Sequence, residues 1–342
     1  MPNTFLFIKR LLNSAKRKNK TESSDYKLKE SKLNASSAEF NFEELLQRAA
    51  YVVNSRMEEK HHNFKIFIDN SIPNILIGDD IKLIQVLINL LGNAVKFTND
   101  NGMITLNAHL LRETNDTATV QITVKDTGIG INKKQQEKLF KLFQQTDYEI
   151  MRRYSGTGLG LPICKNLLDL MEGKLFIKSE PGIGSIFGFT INLNLGGNNK
   201  LNPFHDLSNK NLRVLIVDED IELLNYLKNR LIEINIQCET AFTSGDTLSQ
   251  IAQNDPFDII FINLNMPQID GLTLAKKLKS LLMINNCAIV LIASAADWKG
   301  IENEAEKIGI YNFISKPIFP SVIAGSIKDV IDSKVKKFIS RL

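Results

Sequence analysis

Asn89, Asn93 and Lys96 recur at i, i+4 and i+7, so they share one face of any helix that carries them. Amide oxygens suit Mg2+, which keeps several waters and takes only one or two protein ligands, and an ammonium one turn on can reach phosphate oxygens. Alone, the triplet is equally well explained as a polar helix face. A second group, Asp126-Thr-Gly-Ile-Gly130, directly follows an alternating apolar run. A carboxylate at a strand end can accept a hydrogen bond from the exocyclic amine of adenine, a contact of roughly 1.5–3 kcal/mol that guanine cannot offer. Gly128 and Gly130 would permit positive φ and close approach of backbone to ligand. The bland alternative is an ordinary Asp-Thr-Gly turn. Third is Gly156-Thr157-Gly158-Leu159-Gly160-Leu161, placed to open a helix whose free N–H groups and positive dipole end would cradle phosphate. It is neither a Walker A loop, lacking Gly-Lys-Ser/Thr, nor a dinucleotide fingerprint. Pro181-Gly-Ile-Gly-Ser185 reads as a tight turn between strands.

Regular elements must hold these groups. Apolar spacing predicts helices over 40–57 and from Asp80 past Val95, the latter with Ile81, Ile84, Ile88, Leu91 and Val95 as its apolar stripe. Strands are expected at 64–69, 103–110, 118–125, 175–179 and 186–194, with helices near 134–143 and before Met171. Helices before and between a run of strands suggest a two-layer α/β sandwich over 38–196. Residues 197–211, rich in Gly, Asn and Pro, read as a linker. Over 212–338 the pattern becomes strand–helix alternation, with apolar runs at 214–217, 236–241, 259–262, 289–293 and 311–314. Near-continuous apolar strands of this kind predict a parallel sheet covered on both faces.

The net charge of +4 over 342 residues is uneven. Residues 1–32 hold nine Lys/Arg against three acids, giving +6 and leaving −2 for the rest. Residues 1–37 therefore read as a basic, solvated segment, with no specific nucleic-acid partner expected. Three scattered cysteines fit a reducing compartment, so a cytoplasmic protein is expected. No apolar run approaches the ~18 residues of a membrane span.

In order and spacing, the first set closely resembles the catalytic ATP-binding (Bergerat-type) domain of sensor histidine kinases. Gln85–Thr98 looks like that family's asparagine box, Asp126–Gly130 and Gly156–Leu161 its glycine boxes, Phe140 and Phe143 its phenylalanine box, and Pro181–Phe187 its last box. The resemblance implies ATP and Mg2+ as cofactors. Asn89 and Asn93 would hold Mg2+, with Lys96 and Phe97 beside the nucleotide and Gln144–Tyr154 as a lid over it. Arg152 or Arg153 would meet the γ-phosphate. In the hydrolytic gyrase-like and MutL-like relatives, a glutamate stands where this chain has Asn89. A neutral amide cannot take a proton from water, so phosphoryl transfer is expected rather than hydrolysis. No acceptor-histidine motif occurs in residues 1–60, and His205-Asp-Leu-Ser is only a faint echo of one. The expected phosphoacceptor is therefore a histidine on another chain, carried by a dimerisation or phosphotransfer domain of another kinase or response regulator. His61 and His62 read as surface residues rather than a metal pair.

Residues 212–335 resemble a response-regulator receiver, a doubly wound, flavodoxin-like five-stranded parallel sheet. Asp218 and Glu219 match its Mg2+-binding acidic pair, Ser294 its hydroxyl position, Phe313 its aromatic switch and Lys316-Pro317 its lysine. The acceptor position, where the family has aspartate, is Asn263. A carboxamide is not a nucleophile for phosphoryl transfer. The expectation is a degenerate receiver that serves as a docking surface or is locked in one conformation. Fused to an ATP-binding module, it would act either in phosphotransfer or as a non-catalytic regulator.

Overall fold

A computed structural model of the chain describes residues 37–144, 160–197, 211–281 and 287–339. The first layer is a seven-stranded mixed sheet: β1 (Ala38–Asn41), β2 (Asn63–Ile68), β3 (Ile75–Gly78), β4 (Met103–Glu113), β5 (Thr117–Asp126), β6 (Lys174–Glu180) and β7 (Gly184–Leu195). Its order is β1-β3-β7-β5-β4-β2, with β6 pairing the same edge of β7 as β3 does. Helices α1 (Phe42–Glu59), α2 (Asp80–Phe97), α3 (Lys133–Gln144) and α4 (Gly160–Leu170) belong to the same unit. Alternation along β5 buries Ala118, Val120, Ile122 and Val124, which join the α1 and α2 side chains in one core. The two-layer sandwich expected from the sequence is what forms.

Caps and apolar spacing explain where the helices lie. Asn41 accepts a hydrogen bond from the Glu44 N–H at 3.0 Å and starts α1, which buries Phe42, Leu45, Leu46, Ala49, Val53 and Met57 on one face. Asp79 likewise accepts from the Lys82 N–H and pairs with the Lys82 ammonium, both side chains being buried. At the other end of α2, Lys60 Nζ donates to Val95 O at 2.9 Å and Thr98 O at 3.2 Å, placing a cation at the negative helix terminus.

Several details differ from the sequence reading. Phe40 belongs to β1, so α1 begins two residues later than expected. Strands β1 and β3 were not foreseen; each has four residues, too few for a periodic signal, and they form by pairing with each other. Ile81 is 56% exposed in the first turn of α2; the rest of the expected stripe is buried (Ile84, Leu91, Val95) or packed on the core (Ile88), and Leu83, Leu87, Leu90 and Ala94 widen it.

The second sheet is fully parallel, in the order β12-β11-β10-β8-β9. It comprises β8 (Arg213–Val217), β9 (Gln237–Ala241), β10 (Ile259–Asn263), β11 (Ala288–Ala293) and β12 (Phe313–Ser315). One core joins it to α5 (Ile221–Ile232) and α9 (Pro320–Ile339); a second core, on the opposite face, joins it to α7 (Gly271–Ser280) and α8 (Ala295–Lys307), with α6 (Ser244–Gln253) alongside. Both faces are therefore covered, as near-continuous apolar strands require. Tyr311, expected to open the last strand, is 71% exposed, and β12 begins at Phe313.

Candidate functional site

Asn89 and Asn93 are half-buried on α2 and Lys96 is exposed one turn on, its ammonium 4.8 Å from the centre of the Phe97 ring. Helix α4 packs across this face and begins at Gly160. A methyl group added there would lie 3.8 Å from Asn93 Nδ2 and 3.9 Å from Asn89 Cγ. The N-terminus of α4, with its free N–H groups, thus opens beside the two carboxamides. The Cys164 thiol of α4 donates to Val86 O of α2 at 3.8 Å, and burial pushes its pKa up to about 12. That tie between α2 and α4 left no trace in sequence spacing.

Asp126 ends β5 and is 5% exposed. Its Oδ1 accepts from the Gly128 N–H at 2.8 Å, and the Ser185 N–H at the start of β7 also bonds the carboxylate. Burial nevertheless pushes its pKa up, outweighing both bonds. Of the glycines after it, Gly130 adopts the positive φ expected, and both make close backbone approaches within the protein. A Cβ on Gly128 would meet Phe97 O at 2.3 Å, so the close approach is to the end of α2. Gly130 has φ +67° and lies against Glu180 O, while Gly182 N–H donates to Ile129 O. These glycines lock Asp126 beside the end of the asparagine helix. Asn89 and Asn93 thus lie beside the start of α4, and Phe97 lies beside the turn that follows Asp126. Arg152, Arg153, Gly156, Thr157, Gly158, Leu159 and His205 lie outside the described residues, as do the side chains of Phe140 and Phe143.

In the second sheet, Asp218, Asn263, Ser294 and Lys316 gather at the carboxyl ends of β8, β10, β11 and β12, where such sheets bind ligands. Asn263 is 3% exposed; its Oδ1 accepts from Lys316 Nζ at 3.0 Å and its Nδ2 donates to Asn265 O at 2.9 Å. The carboxamide is spent on structure. Ser294 caps α8, its Oγ accepting from the Asp297 N–H at 3.0 Å. Phe313 stacks on Trp298 at 4.5 Å. Asp218 is 2% exposed; Oδ1 accepts from the Asp220 N–H, while Oδ2 is buried without a protein partner. Burial raises its pKa, and Lys316 opposes that rise. With exposed Glu219 beside it, this orphan acceptor fits a divalent cation.

The α1–β2 corner borders this pocket. The pocket forms part of a cavity of about 490 Å³ whose other wall is that corner, including His61, His62 and Lys65. His61 is exposed as expected, and both histidines line this cavity. Lys65, 9% exposed, ion-pairs with Asp220. Ile68 donates its N–H to Tyr226 Oη at 3.2 Å, and its C=O accepts from Arg230 at 3.0 Å. Ser321 N–H donates to Glu43 at 2.9 Å, and Phe319 packs into the core of the first sheet. The only sequence hint was Phe67, an apolar residue on the second face of β2; it meets Tyr226 edge-on at 5.1 Å.

Residues 78–195 match the family model described as histidine kinase-, DNA gyrase B- and HSP90-like ATPase, and residues 214–328 match the response regulator receiver domain. Hybrid signal transduction histidine kinase K of Dictyostelium discoideum is 28% identical over 321 residues, 88% of this chain and 26% of its own length. The sensory/regulatory protein RpfC of Xanthomonas campestris pv. campestris is 25% identical over 85% of this chain and 44% of itself. The signal transduction histidine-protein kinase BarA of Escherichia coli is 37% identical over 50% of this chain and 19% of itself. The chain thus spans less than half the length of each. Full-length ShkA, solved in complex with AMPPNP, superposes with a TM-score of 0.64 at 21% identity, covering 88% of this chain and 58% of that one.

Proposed function

Starting from a chain that joins a histidine-kinase-type ATPase domain to a response regulator receiver domain, the order of hybrid histidine kinases, we propose a phosphotransferase module of two-component signalling that binds Mg·ATP. It would pass the γ-phosphoryl group to a histidine presented by a dimerisation or phosphotransfer domain. Two observations support this reading: Asn89 and Asn93 of α2 lie beside the start of α4, and buried Asp126 sits in a turn packed against the end of α2. Asp126 accepts a hydrogen bond from the adenine amine. Asn93, with Asn89, holds Mg2+, which would neutralise phosphate charge. Lys96 adds its own positive charge, and the N–H groups opening α4 cradle phosphate oxygens. The imidazole nitrogen of the acceptor forms the new bond to phosphorus while the bridging P–O bond breaks and ADP leaves with its electron pair. Catalysis is then positioning and charge stabilisation. Asn89 cannot serve as a base toward water, which favours the histidine over hydrolysis.

Incubation of the chain with γ-labelled Mg·ATP and a separate histidine-bearing domain tests this. Acid-labile, base-stable label on the added domain is expected, with slow steady release of phosphate by the chain alone. A second reading, a nucleotide-binding regulator without transfer, draws support from Asn263. Tight ATP binding with no label on any of several acceptor domains would select it.

A further inference from the structure

The receiver-like pocket has Asn263 at the acceptor position but keeps its acidic loop, and the α1–β2 corner forms one wall of it. We propose that the pocket end of this domain is a docking surface whose partner is the α1–β2 corner of the chain's own ATPase domain, with Lys65 as the cation held by the loop.

Three kinds of chemistry meet there. Lys65 is nine-tenths buried on β2, a position that a lone ammonium does not tolerate; Asp220 is its direct partner, and Glu222 lies 3.9 Å away. Asp220 belongs to the pocket loop, since its N–H bonds Asp218 Oδ1 and its own carboxylate caps α5. The second chemistry is backbone satisfaction. β2 is an edge strand, and its unpaired N–H and C=O at Ile68 are taken by Tyr226 and Arg230 of α5. Third is apolar burial: Phe319, beside Ile318 of the receiver-like core, is seated in the core of the first sheet. A surface made only by chance proximity would not satisfy a buried charge, a strand edge and an aromatic ring together. Docked this way, the α1–β2 corner lines one side of the pocket.

This inference rests on reading Asn263 as a non-acceptor, and the two can fail separately. Hydrogen exchange on the full chain would be followed in peptides covering 63–69 and 221–232, with 117–126 as an internal standard, for wild type, Lys65→Glu, Lys65→Arg and Arg230→Ala. The expected result is slow exchange of both segments in wild type and in Lys65→Arg. Lys65→Glu should speed both together by about tenfold or more, with 117–126 unchanged; Arg230→Ala should act in the same direction without reversing a charge. Fast wild-type exchange at Ile68, or Lys65→Glu and Arg230→Ala variants that exchange like wild type, overturns the docking. Should Lys65→Glu also speed 117–126, the chain has lost its fold, and Arg230→Ala decides. Acetyl-phosphate treatment of the same samples addresses the other premise: a base-labile acyl phosphate on wild type would overturn the reading of Asn263 even with docking intact.

Discussion

Asp126 holds its carboxylate where water scarcely reaches, against two backbone N–H groups. Because burial raises its pKa in the folded chain, the folded state binds a proton more tightly than the unfolded one. The stability this provides is fully present below the ordinary carboxylate pKa of about 3.9 and is lost as pH rises through the raised value. Wild-type stability minus that of Asp126→Asn should therefore fall with rising pH across that window in denaturant titrations; a flat difference would contradict the sign. The same variant should bind ATP at least about tenfold more weakly by calorimetry, as expected for losing a charge-assisted hydrogen bond. Asp126 was legible because a carboxylate at a strand end next to two glycines is a local pattern. The roles of those glycines were not: what Gly128 and Gly130 avoid is Phe97 and Glu180, contacts that exist only once the chain has folded. The Cys164–Val86 bond was hidden for the same reason.

Helix α2 carries the asparagine face, and its ends are held from elsewhere in the chain. Spacing made the helix plain, with apolar residues at three- and four-residue intervals and Asp79 as its cap. Lys60 closing its far end could not be read from spacing, since 35 residues separate it from Val95. Lys60→Ala removes the cation from the last carbonyls and should cost up to about 2 kcal/mol of stability. Lys60→Arg, keeping the charge, should recover most of it; equal midpoints for Lys60→Ala and wild type in urea would remove the cap from the account. Short β1 and β3 and the displaced start of β12 mark the opposite limit. Strands of three or four residues are fixed by their partners rather than by their own pattern.

At the scale of the whole molecule, the change from mixed strands to regular strand–helix alternation made two separate sheets legible, one mixed and one parallel. How they meet was invisible, because Lys65, Tyr226, Arg230 and Phe319 each have an ordinary place within their own element. Phe319 follows the receiver-like core in sequence yet packs into the other one. Phe319→Ala should therefore cost about 3–5 kcal/mol and lower the unfolding transition of the ATPase domain, not merely that of its own. Domain-resolved hydrogen exchange would show this, and a loss confined to 213–339 would refute it. The α1–β2 corner also has two neighbours. Lys60 and His62 bond the carbonyls that follow the asparagine helix, while His61, His62 and Lys65 line the cavity of the receiver-like pocket. A segment shared by two binding equilibria obeys reciprocity. Were docking to change nucleotide affinity by some factor, nucleotide would change docking by the same factor, with no phosphoryl group needing to pass between the two sites.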